Sequence, residues 1–370
     1  MKVPKCEICG KNMRKNGTTK AGTQRWRCNS CGFSKTRRND TRAKRFTLFL
    51  NWLMSKKTQE EMGYSRAKFK RLTHEFWSIW PIAFKTGEVF DTVFLDGIWI
   101  KRNCVVLIAC SRENVIAWHL AKSESSASWA ALMSRIPAPT MLVSDGALGL
   151  AKAARSVWPK TRIQRCVVHV FRDVKACTTM RPKLEAGNEL LEIAKKLLEV
   201  KDAEQAADWV TKYVSWTSKW NNFLEEFTIN DGKKDYVHER LRRARRTLNK
   251  LVQSGQIFTF INLKNEVGGE WDSTNNVIEG RVNAQLRNVL RNHRGLSAIK
   301  RIKTIFWWCY LDSESVLSPS EILRVMPTDS EVDGLFAQAT KDKLREKSDS
   351  KNYGVGIDWN EFHVPTEFRQ

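Results

Sequence analysis

Three carboxylates stand where carboxylates are costly. Asp96 interrupts the apolar run TVFLDGIWI (92–100) and precedes Gly97. Asp145 closes the apolar run MLVS (141–144) and precedes Gly146. Glu279 lies beside Gly280 near the start of a helical stretch. An acid inside a strand is costly to bury without compensation, and a divalent cation that prefers oxygen ligands is one form of it. Singly, each has a plainer reading. Asp96 could point out of an edge strand, Asp145-Gly146 could be a turn, and Glu279 could serve a helix dipole. Two acids that each close an apolar strand favour a metal site. Glu266, Glu270 and Asp272 compete with Glu279 for the third place. Glu279 is preferred because Ile278, Val282, Leu286 and Val289 give its helix an apolar face to lock against a sheet, a rigid mounting for a ligand.

A second constellation is made of sulfur. Cys6-x-x-Cys9 and Cys28-x-x-Cys31 are each followed by glycine, Gly10 and Gly32. Two such knuckles supply the four thiolates that a tetrahedral zinc prefers; two disulfides or unrelated thiols are the alternative. Lys11, Arg14, Lys15, Lys20, Arg25, Trp26 and Arg27 lie between the knuckles, so the expected zinc ribbon has basic, aromatic-tipped hairpins suited to DNA.

Elements must position these groups. Around Asp96, the runs at 92–100, 104–110 and 115–120 read as three strands of an antiparallel meander. A helix over 125–135, a strand over 141–144, a helix over 147–158, a strand over 162–166 and a helix over 167–175 follow. Three antiparallel strands followed by helix, strand, helix, strand, helix is the ribonuclease-H-like order. In it the first and fourth strands are neighbours, so Asp96 and Asp145 face each other. Residues 181–255 carry apolar residues at helical intervals (Leu190/Ala194/Leu197, Ala203/Ala206/Val210, Trp216/Trp220/Phe223/Phe227 and Val237/Leu241/Ala244/Leu248/Leu251) and no strand signal, which predicts an all-helical insertion. Its last helix carries Arg240, Arg242, Arg243, Arg245, Arg246 and Lys250. That is either a phosphate-facing surface or a solvated basic face. A helix from Ser273 to His293, capped by Gly295, and another over 301–310 complete the core. Beyond Asp312 the sequence reads as polar and irregular, with one aromatic stretch at 358–364.

Upstream, residues 43–80 read as three helices. Phe46, Phe49, Leu50 and Leu53 form one face. Thr58-x-x-Glu61 is a capping box opening a short second helix that ends at Gly63. Ser65 caps a third, buried along Phe69, Leu72, Phe76 and Ile79, with Arg66, Lys68, Lys70 and Arg71 on its other side. Short helix, glycine turn and basic helix match a helix-turn-helix with its reader in the major groove; an ordinary three-helix bundle is the alternative.

The 370 residues carry 63 lysines and arginines against 40 acids, a formal net charge of +23. Residues 1–90 hold 21 of the basic side chains and 6 of the acidic ones. A polyanionic partner is therefore expected. No apolar run reaches membrane-spanning length and no signal peptide precedes Cys6, so a cytoplasmic protein is expected.

The chain resembles bacterial insertion-sequence transposases of the Mutator-like, Asp-Asp-Glu kind. The matching motifs are Leu95-Asp96-Gly97, Ser144-Asp145-Gly146, Cys166-x-x-His169 and Thr274-Asn275 with Glu279 and Arg287; the likeness covers about residues 1–310. The resemblance implies that Asp96, Asp145 and Glu279 bind two Mg²⁺ (or Mn²⁺) ions, with Asp96 bridging. Cys166 and His169 become the family's Cys-x-x-His pair near the active site. They are not read as a second zinc site, since no second ligand pair is evident. Relatives often carry Arg-Asn where this chain has Arg172-Asp173.

The expected protein is thus α/β, with a zinc ribbon (1–40) and a helix-turn-helix (41–85) ahead of a ribonuclease-H-like core. The core runs over 90–180, is interrupted by a helical insertion (181–270) and is closed by 271–311; the tail at 312–370 is unassigned. Its ligands would be one structural Zn²⁺ and two catalytic metal ions, and its DNA contacts Arg66, Lys68, Lys70, Arg71, Arg242, Arg243 and Arg246. Two DNA ends must be handled together, so it is expected to be a homodimer that binds terminal inverted repeats, cuts and joins. A DNA-binding regulator that no longer cuts is the alternative. A tyrosine or serine recombinase is a second rival, distinguished by a covalent protein–DNA adduct.

Overall fold

The computed structural model describes residues 3–6, 8–36 and 41–347, with side chains to 339. The chain divides into two compact units, residues 1–79 with 317–326, and residues 80–316 with the remainder.

In the first unit, β1 (Met13–Thr18), β2 (Gln24–Cys28) and β3 (Ser34–Thr36) form an antiparallel sheet in that order. Its core is Cys6, Met13, Trp26 and Cys28, with Phe33 packed against them. Trp26 is therefore buried within the ribbon rather than offered at a hairpin tip, because a sheet this small has little else to bury. α1 (Thr41–Leu53) buries Phe46, Phe49, Leu50 and Leu53, the face that the spacing predicts. The expected second helix is instead one turn. Thr58 and Glu61 make the reciprocal capping bonds (2.6 and 3.3 Å), and Gly63, at φ +81°, ends the segment two residues later. α2 (Arg66–Thr73) is capped by Ser65 and continues as a 3-10 helix, His74–Ser78. Arg66, Lys68, Lys70 and Arg71 are exposed on it, and Phe69 is buried.

In the second unit, a five-stranded sheet runs β6-β5-β4-β7-β8. Its strands are β4 (Thr92–Ile100), β5 (Cys104–Cys110), β6 (Val115–Ala121), β7 (Met141–Ser144) and β8 (Arg162–Arg165). β4, β5 and β6 are antiparallel; β7 lies parallel to β4 and to β8. β5 is buried along nearly its whole length and β4 over Thr92–Leu95, as strand segments covered on both faces must be. α3 (Ser126–Met133) packs on β5 and β6 and against α4 (Leu148–Val157); α5 (Val167–Thr178) follows β8.

The insertion contains α6 (Glu185–Lys196), α7 (Ala203–Lys219) and α8 (Asn221–Leu224), and ends in α9 (Glu239–Gln253) and α10 (Thr259–Val267). It is not all-helical. β9 (Phe227–Asn230) and β10 (Lys233–Tyr236) pair as a hairpin around Asp231-Gly232, at φ +49° and +73°. Two consecutive positive φ values make this a two-residue turn that Asp-Gly favours. Phe227, assigned above to a helical stripe, lies on this hairpin. Along α7 the buried face is Ala206, Trp209, Tyr213 and Trp216 rather than Ala203/Ala206/Val210.

The helix expected from Ser273 opens as a π-helix over Val277–Asn283, packed on β4, and continues as α11 (Ala284–Asn292). It ends at His293, so Gly295 is not its cap. α12 (Ala298–Leu311) packs on β4 and β6. The described part of the tail carries two helices. α13 (Pro319–Val325) has a Ser318/Glu321 capping box, and α14 (Asp329–Lys347) follows. The aromatic stretch 358–364 lies outside the described residues.

Candidate functional site

Asp96 sits within β4, paired with Ile108 across the antiparallel β5. Asp145 follows the end of β7, whose register with β4 runs Thr92↔Met141 to Phe94↔Val143. The two acids therefore leave neighbouring parallel strands in the same direction. Glu279 enters from the π-helix.

Asp96 Oδ1 accepts the Gly97 N–H (2.8 Å), and Oδ2 accepts an N–H from Asn283 (2.6 Å). Burial raises its pKa from the ordinary 3.8 to about 6, against the lowering effect of the Gly97 bond, with Asp145, Glu279 and Glu124 adding to the rise. Asp145 Oδ1 accepts the Ala147 N–H (2.9 Å). Glu279 faces α5, with Oε2 3.3 Å from Arg172 Nη1 and Oε1 3.6 Å from His169 Nδ1. Those two groups hold it on the α5 side, and the three acids do not close to within 4.8 Å of one another as the four cysteines do.

The Cys-x-x-His pair joins this site. Cys166 N bonds Ser144 O (2.8 Å), Asn275 N donates to Cys166 Sγ (3.2 Å), and Val167 N bonds Ser273 O (3.0 Å). These contacts tie the start of α5 to both acid-bearing segments. Burial pushes the Cys166 thiol up, but His169 and the Asn275 and His169 N–H groups outweigh it and hold the thiol low. His169 is raised, chiefly by Cys166. The Arg172-Asp173 departure also has a place. Asp173 pairs with Arg165 (2.8 Å), whose guanidinium lies against Gly146, where an added Cβ would come within 2.1 Å of it.

Two residues at this site escaped the sequence reading. Glu124, just before α3, accepts the Trp99 Nε1–H (2.8 Å). Its side chain occupies the space a Cβ at Gly97 would need (2.5 Å), and its backbone the space one at Gly149 would need (2.5 Å). Asn283, fully buried, is the other. No local signal marks either, apart from Asn283 falling four residues after Glu279. The rivals for the third place stand elsewhere: Asp272 is bound by Arg112 (2.7 Å), and Glu270 is exposed beside Lys264.

The residues fit a hard cation. Asp96 is desolvated with Asp145, Glu279 and Glu124 around it, and Glu279 Oε1, 3.6 Å from His169 Nδ1, is buried without a hydrogen bond. The cysteines fit a soft one. Cys6 and Cys31 Sγ are 3.4 Å apart, as are those of Cys9 and Cys28, and all four sulfurs lie within 4.8 Å of one another. The backbone N–H of Cys31 holds Cys28 down to about 6. Cys31 is pushed up to about 12, its contact with the Phe33 backbone outweighed by the thiols of Cys6, Cys28 and Cys9. Four thiols this close cannot all ionise without a cation.

The predicted DNA-facing arginines of α9 are largely tied internally. Arg242 pairs with Glu225 (2.7 Å) and lies 3.5 Å from the Tyr236 ring centroid; Arg246 pairs with Glu239, and Arg243 donates to Cys177 Sγ (3.5 Å).

Residues 87–296 match the family model described as Transposase, Mutator family. The chain is 29% identical over 190 residues to the transposase for insertion sequence element IS6120 of Mycolicibacterium smegmatis, covering 44% of this chain and 57% of that one. It is 22% identical over 159 residues to the transposase for insertion sequence element IS905 of Lactococcus lactis (38% and 40%). It is 25% identical over 177 residues to the transposase for insertion sequence element ISRM3 of Rhizobium meliloti (40% and 44%). The chain spans about half the length of the curated relatives it matches. Among the described residues no helix is long and apolar enough to cross a membrane.

Proposed function

The chain belongs to the Mutator family of transposases, and we propose that it binds the terminal inverted repeats of its own mobile element, cuts there and joins the ends to a target. The observation that carries this reading is the delivery of Asp96 and Asp145 from adjacent parallel strands, with the Glu279 helix packed on β4. That placement supports a ribonuclease-H-like core in which the three acids are the metal-binding residues. Two Mg²⁺ ions held by Asp96, Asp145 and Glu279 would supply activation of the attacking oxygen and stabilisation of the leaving one in phosphodiester exchange.

The chain's own groups prepare that site. The Gly97 N–H holds Oδ1 of the Asp96 carboxylate, and the Asn283 amide meets Oδ2. His169 and Arg172, both on α5, hold Glu279, and Arg165 braces the turn at Gly146. The four cysteines hold a zinc ribbon, and α2, with its exposed Arg66, Lys68, Lys70 and Arg71, reads end DNA as the second helix of a helix-turn-helix. Two ends must be handled together, so the working species is a homodimer.

The test is to incubate the zinc-loaded protein with labelled end fragments in Mg²⁺ and map the strands produced. Cuts at the element boundary and joined 3′ ends are expected. Asp145→Asn and Glu279→Gln should bind the ends without cutting, and Glu270→Gln should keep most activity. Cleavage by Asp145→Asn, or a covalent protein–DNA adduct, would overturn the metal reading. Binding without any cutting by the unchanged protein would leave a DNA-binding regulator.

A further inference from the structure

Three buried side-chain oxygens without a hydrogen-bond partner fall on residues four apart: Asn275 Oδ1, Glu279 Oε1 and Asn283 Oδ1. Asn275 stands just ahead of the helix, where its carbonyl accepts the Glu279 N–H (3.2 Å), and Glu279 and Asn283 lie within the π-helical stretch. Asn275 is 1% exposed and Asn283 0%. A buried acceptor left unpaired is uncommon and calls for an explanation, an absent water or ion among them. The π-helix packs directly on β4, the strand that carries Asp96.

Asn283 is the member of this row that touches an acid. Its Nδ2 donates to Asp96 Oδ2 at 2.6 Å, while its Oδ1 has no partner. The amide thus has its donor end on a carboxylate that is itself crowded by Asp145, Glu279 and Glu124, and its acceptor end idle. A cation held by Asp96 would compete with that N–H for the carboxylate. The amide can answer by turning its carbonyl, a hard oxygen of the kind that Ca²⁺ accepts from asparagine side chains and that suits Mg²⁺ and Mn²⁺ as well.

We propose that Asn283 supplies its side-chain oxygen as a fourth protein ligand of the divalent cation held by Asp96. This rests on the cation-site reading given above and adds to it a neutral ligand from the same helix as Glu279. The rival role is positional: the Asn283 N–H merely steadies the Asp96 carboxylate. The two roles use opposite ends of one amide, so substitutions separate them. Asn283→Asp keeps a ligand oxygen and, when ionised, loses the donor; Asn283→Leu keeps the approximate shape and loses both.

The experiment measures Mn²⁺ binding to the full zinc-loaded chain by electron paramagnetic resonance, without DNA. Circular dichroism and zinc content check folding, and Asn283→Ala replaces the leucine variant if that does not fold. Asn283→Leu should weaken Mn²⁺ binding about tenfold or more, on the order seen when groups supporting a metal site are lost. Asn283→Asp should bind at least as tightly as the unchanged chain. Equal losses in both variants would assign Asn283 to positioning and overturn the proposal, as would unchanged binding in Asn283→Leu. Asp96→Asn is the reference. If it abolishes binding while Asn283→Leu leaves binding unchanged, this inference alone falls. If Asp96→Asn leaves Mn²⁺ binding intact, the cation site at Asp96 falls with it.

Discussion

The Asp96 carboxyl keeps its proton to about 6 because it is buried and faces Asp145, Glu279 and Glu124. Its folded pKa lies above the ordinary value, so between 3.8 and about 6 the folded chain binds a proton that the unfolded chain has released. With Mg²⁺ omitted, this residue's contribution to stability should fall as pH rises through that window and stay flat above it. A rise of this size corresponds to about 3 kcal/mol at most. Asp96→Asn removes the ionisation and should be the more stable protein at pH 7, the advantage vanishing below pH ~4. Denaturant titrations of both chains across this range check it, and an equal pH slope in the two would refute the assignment. Asp96 and Asp145 were legible because an acid followed by glycine breaks or ends an apolar run. Asn283 and Glu124 were not, since their partners at the site lie far along the chain or carry no pattern.

At the level of the element, the ribbon and the insertion show two ways of holding a small structure together. The ribbon core is Cys6, Met13, Trp26 and Cys28 with Phe33, too little apolar surface to fold unaided, and zinc modules of this size are unfolded without their metal. Cys28→Ser should lose the zinc and make the ribbon the first segment cut in limited proteolysis, while the second unit stays resistant. An unchanged zinc content would refute the four-sulfur site. In the insertion, Arg242 bridges α9 to the hairpin: it pairs with Glu225, donates to Leu224 O (2.7 Å) and covers Tyr236. Arg242→Ala should therefore lower stability by about 1.5–3 kcal/mol, the range for hydrogen bonds to charged groups. Unchanged stability with a smaller salt slope of DNA binding would instead make it a phosphate contact.

For the whole molecule, a net charge of +23 would make the proposed binding to any DNA strongly salt-dependent. Discrimination between end and random DNA would come from contacts to base edges or from DNA shape, and α2 presents Arg66 and Lys68 exposed in its first turn. Replacing Arg66 or Lys68 by alanine should reduce that discrimination by about 1–3 kcal/mol if the side chain reads a base. Equal weakening on both DNAs, with a shallower salt slope, would make it a phosphate contact. No change in a salt titration would leave α2 a structural helix.

The sequence by itself determined the pieces governed by neighbours along the chain. Cysteine spacing placed the four sulfurs of the ribbon, and alternation and apolar runs placed the strands that deliver Asp96 and Asp145. Helical periodicity located the buried faces of α1, α9 and α11. The Asp231-Gly232 hairpin was also written locally, but residues 227–230 are all exposed, so no burial pattern marked the strands beside the turn. Tertiary structure decided the rest. The π-helix lies within a run that reads as ordinary helix, and its packing on β4 brings Asn283 to an acid 187 residues earlier. Glu279 rests against His169 and Arg172, Asp173 answers Arg165, and Glu124 fills the room left by Gly97 and Gly149. Charges are drawn together across such distances only once the sheet has fixed which strands are neighbours, and sequence spacing carries no record of that.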